Sequence, residues 1–193
     1  MMRPLAALLL LAGAMLPAGI AGGEQSLYAF AGRYTTETTS DSAIPFQADY
    51  ENSYVLGGAY ARDAYEPGWS TVIGWELGGA VRAGERWSGE VWVGPTIRHR
   101  GLPVFGVALL KPAVTVGFSA VDRSIGEERD REARNDRDAT LLYYFGPELA
   151  FSVPRHPQWE LVYRLHHRSG GNRTLGDMGE GHNASTLGLR RRF

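Results

Sequence analysis

The chain has 193 residues, and its 20 Lys and Arg against 21 Asp and Glu leave a formal charge of −1. That balance argues against a nucleic-acid binder and a polybasic membrane-surface protein, both of which need a basic patch. With no cysteine in the sequence, disulfide scaffolds, cysteine-ligated zinc and thiol nucleophiles are excluded, while 25 Gly and 21 aromatic residues at only 21% charge suggest many short strands.

The first segment reads as an address. Arg3 precedes an apolar run from Leu5 to Leu16, and small residues follow at Ala18, Gly19 and Ala21. A basic start, an apolar core and a small-residue exit make a secretory signal peptide. The run is broken at Pro17 and falls short of the roughly 20 apolar residues a spanning helix needs. Residues 1–21 are therefore expected to direct export, leaving 22–193 as the mature domain.

Beyond it the hydropathy alternates with period two in eight segments: Ser26–Tyr34, Ser53–Arg62, Ser70–Arg82, Trp87–Arg98, Phe105–Ala120, Leu141–Val153, Trp159–Ser169 and Asn183–Phe193. In the third, Trp69, Thr71, Ile73, Trp75, Leu77 and Val81 share a face opposite Gly74, Glu76, Gly78 and Arg82. In the seventh, Trp159, Leu161, Tyr163 and Leu165 oppose Glu160, Val162, Arg164 and His166. The first, second and fifth alternate less cleanly, and Tyr54, Leu56 and Tyr60 are left without an assigned face.

A soluble sandwich alternates as well, and a soluble periplasmic barrel around a ligand cavity is one rival reading. Here the face opposite the aromatics is small at Gly74, Gly78, Gly146 and Ala150, as a narrow eight-stranded interior requires. The same face carries Glu76, Glu90, Glu148, Arg82, Arg98 and Arg164, charges of both signs able to pair inside. The fold class expected is all-β, an eight-stranded antiparallel up-and-down transmembrane β-barrel, located in a bacterial outer membrane.

Connections Thr35–Asn52, Val121–Thr140 and Gly170–His182 are long and lie on one side; those on the other run to about six to eight residues. Long loops outside and shorter turns inside are the pattern of outer-membrane barrels. Asp122–Asp138 packs 12 charges into 17 residues and reads as a solvated loop. The chain ends on Phe193 with Leu189 and Leu187 at the same parity. That ending resembles the terminal signature by which bacterial outer-membrane barrels are recognised for assembly, with Arg191 standing where an aromatic is usual.

No Walker loop, zincin helix, dinucleotide fingerprint or Gly-x-Ser-x-Gly elbow is present. What remains is Leu165-His166-His167-Arg168-Ser169-Gly170-Gly171-Asn172, followed by Glu180, His182 and Asn183. His167 and Ser169 are two apart on a strand, so both side chains leave one face, the face of Trp159, Leu161, Tyr163 and Leu165. His166 and Arg168 point to the interior; His166 and His182 are expected to be packed or solvated, and no metal site is expected, because adjacent strand residues point oppositely. A Ser–His pair on a lipid-facing surface is costly, and a serine beside an imidazole is a recurring acyl-transfer nucleophile.

The tail from Arg164 to Phe193 resembles the lipid A 3-O-deacylase (PagL-type) family and its acyloxyacyl-hydrolase-like relatives, eight-stranded outer-membrane barrels with a His-x-Ser-Asn motif and a Glu about a dozen residues later. The resemblance implies a serine esterase that removes an ester-linked acyl chain from lipid A, with His167 as general base and Ser169 as nucleophile. Where the family has Asn after the serine this chain has Gly170, so oxyanion-hole candidates are Gly170, Gly171 and Asn172. Asn183 has the parity of the outward face and Glu180 lies in the glycine-rich loop; either is a candidate partner for His167. The implied partner is lipid A or lipopolysaccharide of the outer leaflet, with Arg168 and Arg173 as candidate phosphate contacts. No cofactor and no nucleic acid are implied, and a homodimer and a preference between lipid A and phospholipid stay open. The alternative is a catalytically inactive structural or lipid-binding outer-membrane barrel.

Overall fold

A sheet leaves unpaired backbone amides along its two edges, and closing on itself removes both edges at once. The computed structural model describes residues 23–193 apart from Ala43 and Asn135; the expected export segment, 1–21, lies outside the described residues. The strands are β1 (Gln25–Thr35), β2 (Tyr50–Gly68), β3 (Thr71–Ala83), β4 (Trp87–His99), β5 (Leu102–Val104), β6 (Ala108–Val121), β7 (Leu141–Ser152), β8 (Trp159–Ser169) and β9 (Glu180–Arg192). Two helices, α1 (Thr39–Ser42) and α2 (Gly126–Ala133), sit in the first and second long connections. Neighbours pair antiparallel in chain order, β1 pairs with β9, and β4 pairs with β6, so the sheet is a closed eight-stranded antiparallel barrel. The three-residue β5 folds back on the start of β6 and takes no part in closure.

Several boundaries differ from the period-two reading. β2 runs on to Gly68, and the turn to β3 is only Trp69 and Ser70, at φ 50° and 56°. Two consecutive positive φ values are those of a type I′ hairpin, whose twist matches that of the flanking strands. Trp69 thus leaves the strand face expected for it and stands almost fully exposed at a turn tip. β9 begins at Glu180, three residues before the expected Asn183. The start of β1 meets the last residue at the short-turn end, where Gln25 and Phe193 exchange backbone hydrogen bonds at 3.0 and 2.9 Å.

The outside is apolar and the inside charged. Leu56, Leu149, Leu161, Leu187 and Leu189 are exposed on the outer wall, as are the previously unassigned Tyr54 and, half-exposed, Tyr60, which packs on Trp75 with ring centroids 5.4 Å apart. Inside, Arg164 bridges Glu76 and Glu148 at 2.6 Å each, Arg190 joins Glu148 at 2.7 Å, and Arg98 pairs with Asp63 at 2.5 Å. Buried charges survive only when paired and hydrogen-bonded, and both signs are supplied in the alternation. This arrangement inverts that of a water-soluble protein; a bilayer is the solvent that suits its outer wall.

The interior is filled. Phe30, Trp92, Tyr144 and His166 meet at the waist with ring centroids 5.0 to 6.0 Å apart. β1, whose alternation was unclear, turns Tyr28, Phe30 and Tyr34 inward; Phe30 fits because Gly57 and Gly188 face it without a Cβ, and Tyr28 because Gly188 does. Gly78 does the same for Trp92.

The charged stretch expected to be a solvated loop is instead a plug. Ile125 is buried, α2 follows, and Glu128 on α2 is fully buried in the barrel mouth, where it pairs with Arg82 at 2.6 Å and with Arg168. Burial works to raise the Glu128 carboxyl, but Arg168 and Arg82 outweigh it and hold it below the usual carboxylate range.

Candidate active site

β8 and β9 bring the predicted residues to the loop end of the outer wall. In their ladder His167 is the register partner of Asn183, and Arg168 of His182; the register then shifts, so that Ser169 faces Glu180. The extra residue is Gly181, where a Cβ would press on the Arg168 backbone. A bulge of this kind re-aims side chains, and here it brings Glu180 to the same side as Asn183 despite the odd spacing between them.

His167 Nδ1 lies 2.6 Å from Asn183 Oδ1. The Asn183 amide Nδ2 donates to the Glu37 carbonyl at 2.9 Å. A carbonyl can only accept, so Oδ1 is the atom facing the imidazole, and the proton of that bond sits on His167 Nδ1. Nε2 is then the unprotonated, basic nitrogen. Glu180 stands further off, with Oε2 at 3.9 Å from Nδ1.

His167 and Asn183 have outward parity but are buried. The cover is the first part of the connection that follows β1, a strap that holds Glu37 and Thr39 against the site. Thr39 Oγ1 is 3.2 Å from His167 Nδ1 and 3.0 Å from Glu180 Oε2. The strap is pinned by a 2.6 Å hydrogen bond between Thr35 and Ser42 hydroxyls. Arg131 of α2 reaches over from the plug and donates to the Gly181 carbonyl and the Thr36 carbonyl, both at 2.9 Å, tying bulge and strap together.

Ser169 ends β8 and is partly buried. Its Oγ accepts from the Gly171 N–H at 3.2 Å, and among the described residues no hydrogen bond joins it to His167. Of the three oxyanion candidates, Gly170 N–H is spent on the Gly179 carbonyl at 2.8 Å, and Asn172 is exposed in a left-handed turn at φ 55°. Gly171 N–H is therefore the donor beside the serine. Gly170 has a packing reason to be glycine: a Cβ there would run into the carbonyls of Met178 and Leu175.

Arg168, expected to meet a phosphate, is fully buried; its guanidinium holds Ser119 Oγ at 2.9 Å, the Ala139 carbonyl at 2.8 Å and Glu128. Arg173 stays exposed on the 170–179 loop. His166 is packed inside against Glu90 at 2.8 Å, and His182 stacks on Tyr34 at 3.8 Å and meets Glu51 at 2.7 Å. Glu37, Thr39 and Arg131 were not singled out from sequence. Thr39 is 128 positions from His167, and the strap between two strands carries no periodicity that would assign it.

No protein-family profile and no curated protein sequence matches the chain. Among solved structures it is similar to the outer membrane enzyme PagL, with a TM-score of 0.61 at 10% identity over 86% of this chain and 98% of that one. The chain is an eight-stranded barrel of the outer-membrane type. A de novo designed transmembrane β-barrel gives 0.51 at 15% identity over 89% of this chain and 96% of the design. Neisserial surface protein A (NspA) gives 0.53 at 7% identity over 89% and 99%. At these identities the likeness is one of fold, and the barrel shares it with an enzyme, a design and a surface protein alike.

Proposed function

We propose that the barrel is an outer-membrane serine esterase that removes an ester-linked acyl chain from lipid A, reached from the outer leaflet and exported there by residues 1–21. The observation that carries this reading is the fixed tautomer of His167: Asn183 holds Nδ1–H and leaves a basic Nε2 two residues from a serine. In the reaction Ser169 Oγ attacks the ester carbonyl while Nε2 takes its proton. The tetrahedral oxyanion is met by Gly171 N–H, and its collapse returns the proton to the leaving sugar oxygen. Water, deprotonated by the same Nε2, then releases the fatty acid and restores the serine. Ser169 and His167 come into hydrogen-bond contact as substrate binds, since such contacts are often loose in free enzymes. Arg173, exposed on the adjacent loop, is the cation placed for a lipid phosphate.

The test is mass spectrometry of lipid A from cells expressing the barrel beside cells expressing Ser169→Ala. Loss of one acyl chain with the parent alone supports the proposal. Equal loss in both moves the chemistry away from Ser169, and unchanged lipid A in both, with the protein found in the outer membrane, sinks the esterase. A second reading, a structural or lipid-binding barrel without activity, is favoured by one observation: the Ser169 hydroxyl is engaged by Gly171 rather than by His167.

A further inference from the structure

Arg33 stands on the outer wall near the loop end of β1 and is exposed there. In the ladders it is the partner of Tyr54 on β2 and of Ser185 on β9, while Thr35 beyond it is the partner of Asn183. His167, Asn183 and Thr35 thus cross the wall in one row. Arg33 lies one pleat below that row, on the second strand from His167, about 10 Å across the wall.

A guanidinium carries five N–H groups, and hydrocarbon offers them no acceptor. Inside the barrel the chain meets this need with carboxylates: Arg82 and Arg168 reach Glu128, Arg98 reaches Asp63, and Arg164 reaches Glu76 and Glu148. Arg33 has no such partner among the described residues. Its Nε donates to the Glu51 carbonyl at 2.8 Å, in the stretch where the β1–β2 register shifts, and Nη1 and Nη2 make no hydrogen bond to the described residues.

The group is nevertheless held. The Tyr50 and Tyr54 ring centroids lie 5.5 and 5.6 Å from Arg33 Cζ, within cation–π range. Tyr50 is itself fixed by donating its hydroxyl to the Pro45 carbonyl at 2.8 Å. With Nε engaged, the free edge is the Nη1/Nη2 fork, whose shape matches two oxygens of a phosphate. Glu51 is the second residue of β2, so the fork is anchored at the loop end of the wall, where aromatic side chains and lipid headgroups meet a barrel.

We propose that Arg33, framed by Tyr50 and Tyr54, binds the phosphate of an outer-leaflet lipid. The wall below suits the rest of such a molecule. The outer face of β1 is small there, Ala31 and then Ala29, and it is flanked by exposed Leu187 and Leu189 on β9 and Leu56 on β2. An acyl chain laid along this track leaves its headgroup at Arg33, on the face that carries His167 and Asn183. The site goes beyond the esterase reading and stands without it, because binding requires no reaction at Ser169.

The test keeps the two separate by placing every protein in a Ser169→Ala background, so that no lipid is consumed. The barrel is refolded in an uncharged detergent with Arg33 intact, as Arg33→Gln and as Arg191→Gln, and folding is checked by heat-modifiable gel migration. Arg191 is the control: an exposed arginine at the short-turn end of the same wall, over the Trp159 ring at 5.8 Å. Native mass spectrometry counts bound diphosphoryl lipid A, phosphatidylglycerol and diacylglycerol. Lipid A is expected to bind about 10-fold more weakly to Arg33→Gln, the loss of a charge-assisted pair, and diacylglycerol equally to all three proteins. The same loss with phosphatidylglycerol assigns the site to any lipid phosphate; a loss confined to lipid A assigns it to that headgroup. Equal lipid A binding with and without Arg33, an equal loss in Arg191→Gln, or an equal loss with diacylglycerol overturns the proposal.

A second measurement needs no change at Arg33. Phenylglyoxal modifies exposed arginines, and peptide mass mapping reports the adduct at Arg33. Lipid A is expected to suppress that adduct and diacylglycerol to leave it unchanged. An Arg33 adduct that forms equally fast with and without lipid A rejects the site.

Discussion

Asn183 contacts His167 and the strap with opposite ends of one amide: Oδ1 faces His167 Nδ1 at 2.6 Å, and Nδ2 donates to the Glu37 carbonyl at 2.9 Å. Each end fixes the other, because the carbonyl accepts only from the nitrogen. Asn183→Leu keeps the branching at Cγ and removes both bonds. The free Glu37 carbonyl and the unpaired imidazole are expected to cost about 1–3 kcal/mol of stability, and loss of the held tautomer about 10²-fold in acylation rate. Urea unfolding in detergent and probe labelling of Ser169 measure the two separately.

Asn183→Asp gives a different outcome. A carboxylate is a stronger partner for a protonated imidazole, yet both its oxygens are acceptors, and one of them faces the Glu37 carbonyl. The strap is expected to lift from the wall. Limited proteolysis reads this directly: faster cleavage within residues 36–49 than in the parent, with the barrel band intact. Equal cleavage rates would show that Asn183 does not anchor the strap.

Glu128 makes the plug sensitive to acid. Arg168 and Arg82 hold its carboxyl below the ordinary range against the pull of burial, and His182 contributes in the same direction. A carboxyl lowered in the folded state contributes stability that is complete above its unfolded pKa, about 4.3, and is lost as pH falls through the lowered folded value. Glu128→Gln cannot follow this course. The stability gap between parent and Glu128→Gln is therefore expected to be full at neutral pH and to shrink below about pH 4.3, as measured by unfolding at a series of pH values. A gap independent of pH would mean that the carboxyl is not held by the two arginines.

Several of these relations were legible in the chain and several were not, for physical reasons. β3, β7 and β8 alternate apolar with small or charged residues because one wall meets lipid-like surroundings and the other an ion network, and that period survives in the letters. β1 hides it, since Tyr28, Phe30 and Tyr34 fill the interior and are as apolar as an outer wall. Parity gave the shared side of His167 and Asn183, but it left Glu180 adrift, because the bulge at Gly181 changes the count by one. The charges of 122–138 appeared generic; only the mouth of the barrel, with Arg82 and Arg168 waiting inside it, makes Glu128 different from Glu127. Thr39 reaches the site through a long connection whose path no local pattern encodes.

Gly170 tests whether the departure from His-x-Ser-Asn is a defect or an adaptation. Its missing Cβ is occupied by the carbonyls of Leu175 and Met178, and Met178 is buried against Leu142 and Ala139. Gly170→Asn restores the motif and is expected to spread the 170–179 loop and lower the rate of Ser169 acylation. A rate that rises would mean that the loop yields and that an oxyanion donor was lacking.

Gly78 tests the packing of the interior independently of the site. A Cβ at this position overlaps the indole of Trp92, whose Nε1 donates to Glu76 at 2.9 Å and whose ring stacks on Tyr144 at 5.4 Å. Trp92 cannot retreat without breaking that bond, and a barrel wall cannot open without losing ladder hydrogen bonds. Gly78→Ala is therefore expected to cost about 1–3 kcal/mol, the range for overpacking a filled core. Trp92→Phe alone leaves Glu76 short of one donor and is destabilising by itself. Combined with Gly78→Ala it makes room for the new methyl, so the double variant is expected to be more stable than the sum of the two losses predicts. Additive losses in urea unfolding would place the strain of Gly78→Ala somewhere other than against Trp92.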